Sequence, residues 1–134
     1  MLFRSGDERE LCDLLIVDDD PVMLAMFSRI GRRLNLTRIE LAQGVKEMEQ
    51  KFELYCFRLV FLDHLLIDGF GNEALQSDGV KRGIGKTGII VASGFDPERL
   101  RPVYAPFRVK HILRKPIQPH SLSVAIVDCL SGAR

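Results

Sequence analysis

Apolar residues along the chain fall into two alternating patterns. DLLIVD, residues 13–18, holds a continuous apolar run of the kind that fills a strand buried on both faces. RIELAQ is a second, weakly alternating strand, FRLVFLD a third, GIIVAS a fourth and VKHILRKP a fifth. Between them the spacing turns helical. Val22, Met23, Met26, Phe27, Ile30 and Leu34 recur at helical steps after Pro21, which suits a first helical turn because its missing N–H costs nothing there. Val45, Met48, Phe52 and Tyr55 mark a second helix across VKEMEQKFELYC. Gly69 and Gly71 make a loop, NEALQ opens a short third helix, and Leu122, Ala125, Ile126 and Cys129 give a last helix one apolar side. Strands alternating with helices imply a parallel sheet covered on both faces. Any site then belongs at the carboxyl ends of the strands.

Those ends carry chemistry. Strand one runs into Asp18-Asp19-Asp20, strand three into Asp63, strand four into Ser93 and strand five into Lys115-Pro116. Three adjacent carboxylates either protonate or surround a hard cation, and Mg²⁺ favours a few carboxylates with waters and a phosphate oxygen. A carboxylate facing that metal, Asp63, suits nucleophilic attack on a phosphoryl group, for it is already ionised at neutral pH. Lys115 would neutralise one phosphoryl oxygen as a point charge and Ser93 would donate a hydrogen bond to another.

Composition changes this picture little. A chain of 134 residues, 46% hydrophobic and 28% charged, reads as one soluble globular domain. The net charge of +1 hides −6 over residues 1–80 and +7 over residues 81–134, but the basic residues are spread singly, so direct nucleic-acid binding is not expected. Cys12, Cys56 and Cys129 lie in apolar contexts without CxxC spacing and read as buried free thiols of a reducing compartment. No apolar run is long enough for a membrane span, and MLFRSGDERE has none suited to a signal peptide. A cytoplasmic location follows as an expectation.

IVDDDP, LVFLDHLLIDGFG, IIVASG and LRKPI, in that order and with intervals of 30 residues from Asp63 to Ser93 and 52 from Asp63 to Lys115, resemble the receiver domain of bacterial two-component response regulators. The resemblance covers about residues 12–132, leaving 1–11 as an N-terminal extension. It implies a flavodoxin-like α/β/α sandwich with a five-stranded parallel sheet of order 2-1-3-4-5. Asp63 would be the phosphoacceptor, served by a histidine kinase, a histidine phosphotransfer protein or a small phosphodonor. Asp19, Asp63 and the backbone carbonyl of Leu65 would hold Mg²⁺, with Asp18 acting largely through water. Ser93 and Lys115 would grip the attached phosphoryl group and draw in the loop after strand four. Such a protein is a signalling receiver that catalyses only its own phosphorylation and dephosphorylation. Its partners would include a downstream target or an output domain not in this chain, with a homodimer as a further possibility. Asp20 has no such role and reads as a helix N-cap.

Several positions depart from that pattern. Ile67 stands where proline is usual, so the loop after Asp63 is expected to be less rigid; Ile112 replaces the aromatic expected three residues before Lys115. FDPERLRPVYAPFRV contains Pro97, Pro102 and Pro106, which predicts a short or irregular fourth helix, one turn near Pro97 to Arg101 at most, and a non-standard output surface. Leu65 and Phe95, two residues beyond Asp63 and Ser93, are apolar where the attacking water is gated, so slow loss of phosphate is expected. His64 reads as an exposed loop residue, and His111 and His120 as structural.

Other readings compete. RGIGKTG ends like a phosphate-binding loop, but Val80 occupies its first position and a strand follows, so a flexible basic loop is expected. Asp18-x-Asp20-x-Val22 also resembles the first motif of haloacid-dehalogenase-type phosphatases, with Asp18 as nucleophile. That scheme needs paired acids late in the chain, where only Asp96, Glu98 and Asp128 occur, and gives Asp63 no role. The remaining alternative is a degenerate receiver acting as a constitutive interaction module.

Overall fold

Leu14, Leu15, Ile16 and Val17 are at most 1% exposed, because strand β1 (Glu10–Val17) has a parallel neighbour on either side. The computed structural model describes residues 9–131, so most of the expected N-terminal extension and residue 132 lie outside the described residues. β1 starts three residues before Asp13, since Glu10, Leu11 and Cys12 pair with Tyr55, Cys56 and Phe57. At its other end the Asp20 carboxylate accepts the Val22 N–H at 3.0 Å and starts helix α1 (Pro21–Arg33), with Pro21 in the first turn.

Strand β2 (Ile39–Ala42) and helix α2 (Val45–Leu54) follow. Strand β3 (Tyr55–Asp63) then begins without an intervening residue. Tyr55, expected on the helix, instead opens the strand, because pairing with Glu10 outweighs its place in the helical spacing. The loop after Asp63 is ordered as a small antiparallel hairpin of β4 (Leu65–Leu66) and β5 (Gly69–Phe70). Asp68 at its tip accepts the N–H groups of Val45 and Lys46 at 2.7 and 3.1 Å, so the hairpin caps α2 from a distance in the chain. Gly44 permits this, as a Cβ there would run into the Asp68 carboxylate.

Two short helices, α3 (Gly71–Gln76) and α4 (Asp78–Gly83), replace the single one expected; they break at Ser77, which is extended and whose hydroxyl accepts the Val80 N–H at 3.4 Å. Strand β6 (Gly88–Ser93) precedes helix α5 (Pro97–Tyr104), a 3₁₀ turn at Ala105–Phe107, strand β7 (His111–Arg114) and helix α6 (Pro119–Ser131). The expectation of one turn near Pro97 was too short. Helix α5 runs for 8 residues with Pro102 inside it, because burial of Leu100 and Tyr104 holds the second turn despite the lost backbone hydrogen bond. It remains short and ends irregularly, as the three prolines predict.

The main sheet has the order β2-β1-β3-β6-β7 with every pairing parallel, the order 2-1-3-4-5 once the small hairpin is set aside. Alternation along the strands splits the core in two. Leu15, Val17, Val60, Leu62 and Val91 pack with Met48, Phe52, Leu75 and Tyr104 on the side of α2 to α5. Leu14, Ile16, Leu59, Phe61 and Ile90 pack with Phe27, Ile30, Leu122 and Ile126 beneath α1 and α6. The three cysteines are buried and form no disulfide among the described residues, as expected. Among the described residues no helix is long and apolar enough to cross a membrane.

Candidate functional site

Register brings the strand ends together. Val17 pairs with Leu62, Asp63 with Ala92 and Ser93 with Arg114, so Asp18, Asp63, Ser93 and Lys115 emerge along one edge of the sheet. Backbone hydrogen bonds continue one residue further, from Asp18 N–H to the Ala42 carbonyl at 2.9 Å and from Lys115 N–H to the Ser93 carbonyl at 2.8 Å. The Lys115–Pro116 peptide bond is cis.

Asp18 is fully buried, Asp63 and Ser93 nearly so, and Asp19 is exposed. Carboxylate oxygens of Asp18, Asp19 and Asp63 all lie within 4.8 Å of one another. The Lys115 ammonium stands 3.1 Å from Asp63 Oδ2 and 3.5 Å from Asp18 Oδ2. Asp18 Oδ1 accepts the Asp20 N–H at 2.9 Å, whereas its buried Oδ2 has no hydrogen-bond donor among the described residues and faces the Lys115 ammonium at 3.5 Å. Burial pushes the Asp18 carboxyl up to about 6, with Asp63 and Asp19 adding to the rise and the Asp20 amide and Lys115 opposing it. Burial disfavours the Lys115 charge, but Asp18 and Asp63 outweigh it and raise its pKa.

Ser93 Oγ accepts the Phe95 N–H at 2.9 Å, which leaves its own proton for a ligand. Leu65 lies in β4 with an exposed side chain, and Ile67, Phe70 and Phe95 are exposed beside the same edge. Three crowded carboxylates, one with a buried oxygen lacking a donor, fit a hard divalent cation with oxygen ligands.

His64 departs from expectation. It is 7% exposed rather than a surface loop residue, for its N–H extends the ladder to the Ala92 carbonyl at 2.8 Å and its side chain joins the core side that holds Tyr104. Its Nδ1 lies 2.6 Å from the Tyr104 hydroxyl, and its ring stacks on Phe70 at 5.3 Å and meets Phe95 edge-on at 6.0 Å. Burial lowers its pKa, against the pull of Asp63. The even-numbered positions of β3 foreshadow this, since Val60 and Leu62 face the same side, but nothing local in the sequence points to Tyr104. Gly71 also belongs here: a Cβ would come 2.6 Å from the Tyr104 hydroxyl and 3.0 Å from the Asp63 carbonyl.

Residues that the competing readings require are engaged elsewhere. Asp96 caps α5 through the Glu98 N–H, Glu98 pairs with Arg101 at 2.8 Å, and Asp128 pairs with His111 at 2.7 Å. Thr87 donates its hydroxyl to the Phe57 carbonyl at 2.8 Å, and β6 follows it at once, so no helix N-terminus cradles a phosphate there.

No protein-family model matches the chain, and no curated protein matches it. Solved structures do. A CheY-like response regulator receiver domain protein from Methanospirillum hungatei is 26% identical with a TM-score of 0.79, covering 92% of this chain and 97% of that one. The receiver domain of the PhyR response regulator from Erythrobacter litoralis is 20% identical with a TM-score of 0.77, covering 93% and 94%. The BeF3-activated receiver domain of DrrB, from Thermotoga maritima, is 20% identical with a TM-score of 0.75, covering 90% and 98%. Over nearly its whole length the chain therefore has the fold of the CheY-like response regulator receiver domains, and the resemblance carried by its four strand-end motifs holds in three dimensions.

Proposed function

We propose that the chain is a phosphoacceptor receiver of two-component signalling, in which Asp63 takes a phosphoryl group from a phosphohistidine with Mg²⁺ as cofactor. The observation that carries this reading is the juxtaposition of three carboxylates within 4.8 Å and one ammonium 3.1 Å from Asp63. Asp18, Asp19 and Asp63 would hold the metal, with the Leu65 carbonyl as the further ligand the resemblance implies. Bound there, Mg²⁺ supplies charge neutralisation and a place for a phosphoryl oxygen.

The protein's own part is alignment. A carboxylate oxygen of Asp63 forms the new P–O bond as the P–N bond of the donor breaks, and the imidazole nitrogen keeps the bonding pair, leaving as a neutral ring when its other nitrogen carries a proton. Lys115 then exchanges its contact with the free carboxylate for one with a phosphoryl oxygen, and Ser93 donates its hydroxyl proton to another. The donor would be a histidine kinase or a histidine phosphotransfer protein, and the phosphorylated form would act on a separate target or an attached output domain.

Incubation with Mg²⁺ and acetyl phosphate, and separately with a phosphohistidine donor, tests this by intact-mass and peptide analysis. A single labile phosphoryl adduct on Asp63, lost with EDTA and in Asp63→Asn, is expected. An adduct on Asp18 would favour the phosphatase scheme, and no adduct with either donor would remove the phosphoacceptor reading.

A further inference from the structure

The phenol of Tyr104 reaches from α5 to the end of β3. It is 2% exposed, and its hydroxyl lies 2.6 Å from His64 Nδ1. That hydrogen bond joins α5 to the residue that follows Asp63, and Gly71 leaves the space for the phenol.

His64 is in turn reached from both sides of the acidic pocket. It follows Asp63 in the chain, and its ring meets Phe95, two residues past Ser93, edge-on at 6.0 Å. Phe95 is itself tied to Ser93 by the 2.9 Å hydrogen bond from its N–H to Oγ. A shift of the Asp63 backbone or of the Ser93 hydroxyl therefore acts on the same imidazole. Ile112 has no polar group to relay such a shift; it packs, half-buried, against the core cluster that contains Tyr104. Helix α5 is well suited to respond, with two turns, an internal proline, and Leu100 and Tyr104 as its buried residues.

We propose that the His64–Tyr104 hydrogen bond couples occupancy of the Asp63 pocket to α5, in place of an aromatic side chain at position 112. The inference rests on the phosphoacceptor reading. His64 and Tyr104 are positioning residues that act through the backbone of Asp63 and the loop after Ser93, and the surface that changes is the exposed side of α5 at Arg99, Arg101 and Val103.

Amide spectra recorded with Mg²⁺ before and after beryllofluoride addition separate the two ideas. In the wild type, amides of Asp19, Asp63 and Ser93 and those of Arg99 to Val103 should all shift. In Tyr104→Phe and in His64→Leu the first set should still shift, while the response of the α5 set falls about fivefold, the lower end of ordinary coupling between sites. His64→Asn, which keeps a hydrogen-bonding atom near the Nδ1 position, should restore much of it. A full α5 response in either Tyr104→Phe or His64→Leu overturns the coupling while leaving the phosphoacceptor intact. Silence of the first set in the wild type overturns both.

Discussion

The carboxyl of Asp18 is shut off from water, with one oxygen on the Asp20 amide and the other facing the Lys115 ammonium at 3.5 Å. Its pKa of about 6, raised first by burial, means that the folded chain binds this proton more tightly than the unfolded chain does. In metal-free protein the Asp18 contribution to stability therefore falls as pH rises from about 4 towards 6 and stays lost above. Asp18→Asn should accordingly raise the unfolding free energy in EDTA at pH 7 by roughly 1–3 kcal/mol, with the gain shrinking at pH 4. Denaturant melts of both proteins at the two pH values check this, and an equal gain at both would refute it. Saturating Mg²⁺ should favour the wild type instead, since binding to the native state adds to its stability. At the outer rim the apolar side chains of Leu65 and Phe95 are exposed, at the positions that the resemblance to receiver domains implies for gating of the attacking water. Phe95→Ala and Leu65→Asn should each shorten the phosphorylated lifetime several-fold, on the order of 1 kcal/mol in barrier. Decay of the intact-mass adduct measures it, and unchanged decay in both would exclude gating by these side chains.

Helix α5 shows how an element survives a residue that opposes it. Pro102 cannot donate a backbone hydrogen bond within the helix, yet Leu100 and Tyr104 fill the core on one side. Pro102→Ala restores the donor and relieves the ring, so stability should rise by about 1 kcal/mol, less than the full propensity difference because the freer unfolded chain offsets part of it. Thermal unfolding would reveal the gain, and destabilisation would mean that the proline ring itself packs. The central strands were legible from sequence because burial on both faces leaves continuous apolar runs, and their polar ends marked the residues that the register brings together. Helix lengths were less so. The second turn of α5 depends on a phenol that meets His64, 40 residues away, and the hairpin after Asp63 is fixed by Asp68 on amides more than 20 residues earlier. No local pattern encodes either partner. Ser77, which divides α3 from α4, did carry a local signal as a capping residue, but it lay inside a stretch read as one helix and loop.

Across the described residues the sheet lies between the two cores, and the buried thiols sample both. Cys12 lies in the cluster beneath α2 to α5 and Cys129 in that beneath α1 and α6. Burial raises the pKa of both, Cys12 to about 11, so neither is an activated thiolate. Labelling of the three cysteines should follow global unfolding, with one denaturant midpoint that matches the loss of helical signal. Early labelling of Cys129 alone would show that α6 opens independently. The absence of a linker between Leu54 and Tyr55 has a sharper effect. It makes the 9 residues of β3 a ruler that starts at the last turn of α2 and stops at Asp63. Pairing with β1 and β6 on both flanks forbids slippage. A single inserted residue at that junction must therefore unwind α2 or deliver the Asp63 carboxylate to the wrong side of the sheet.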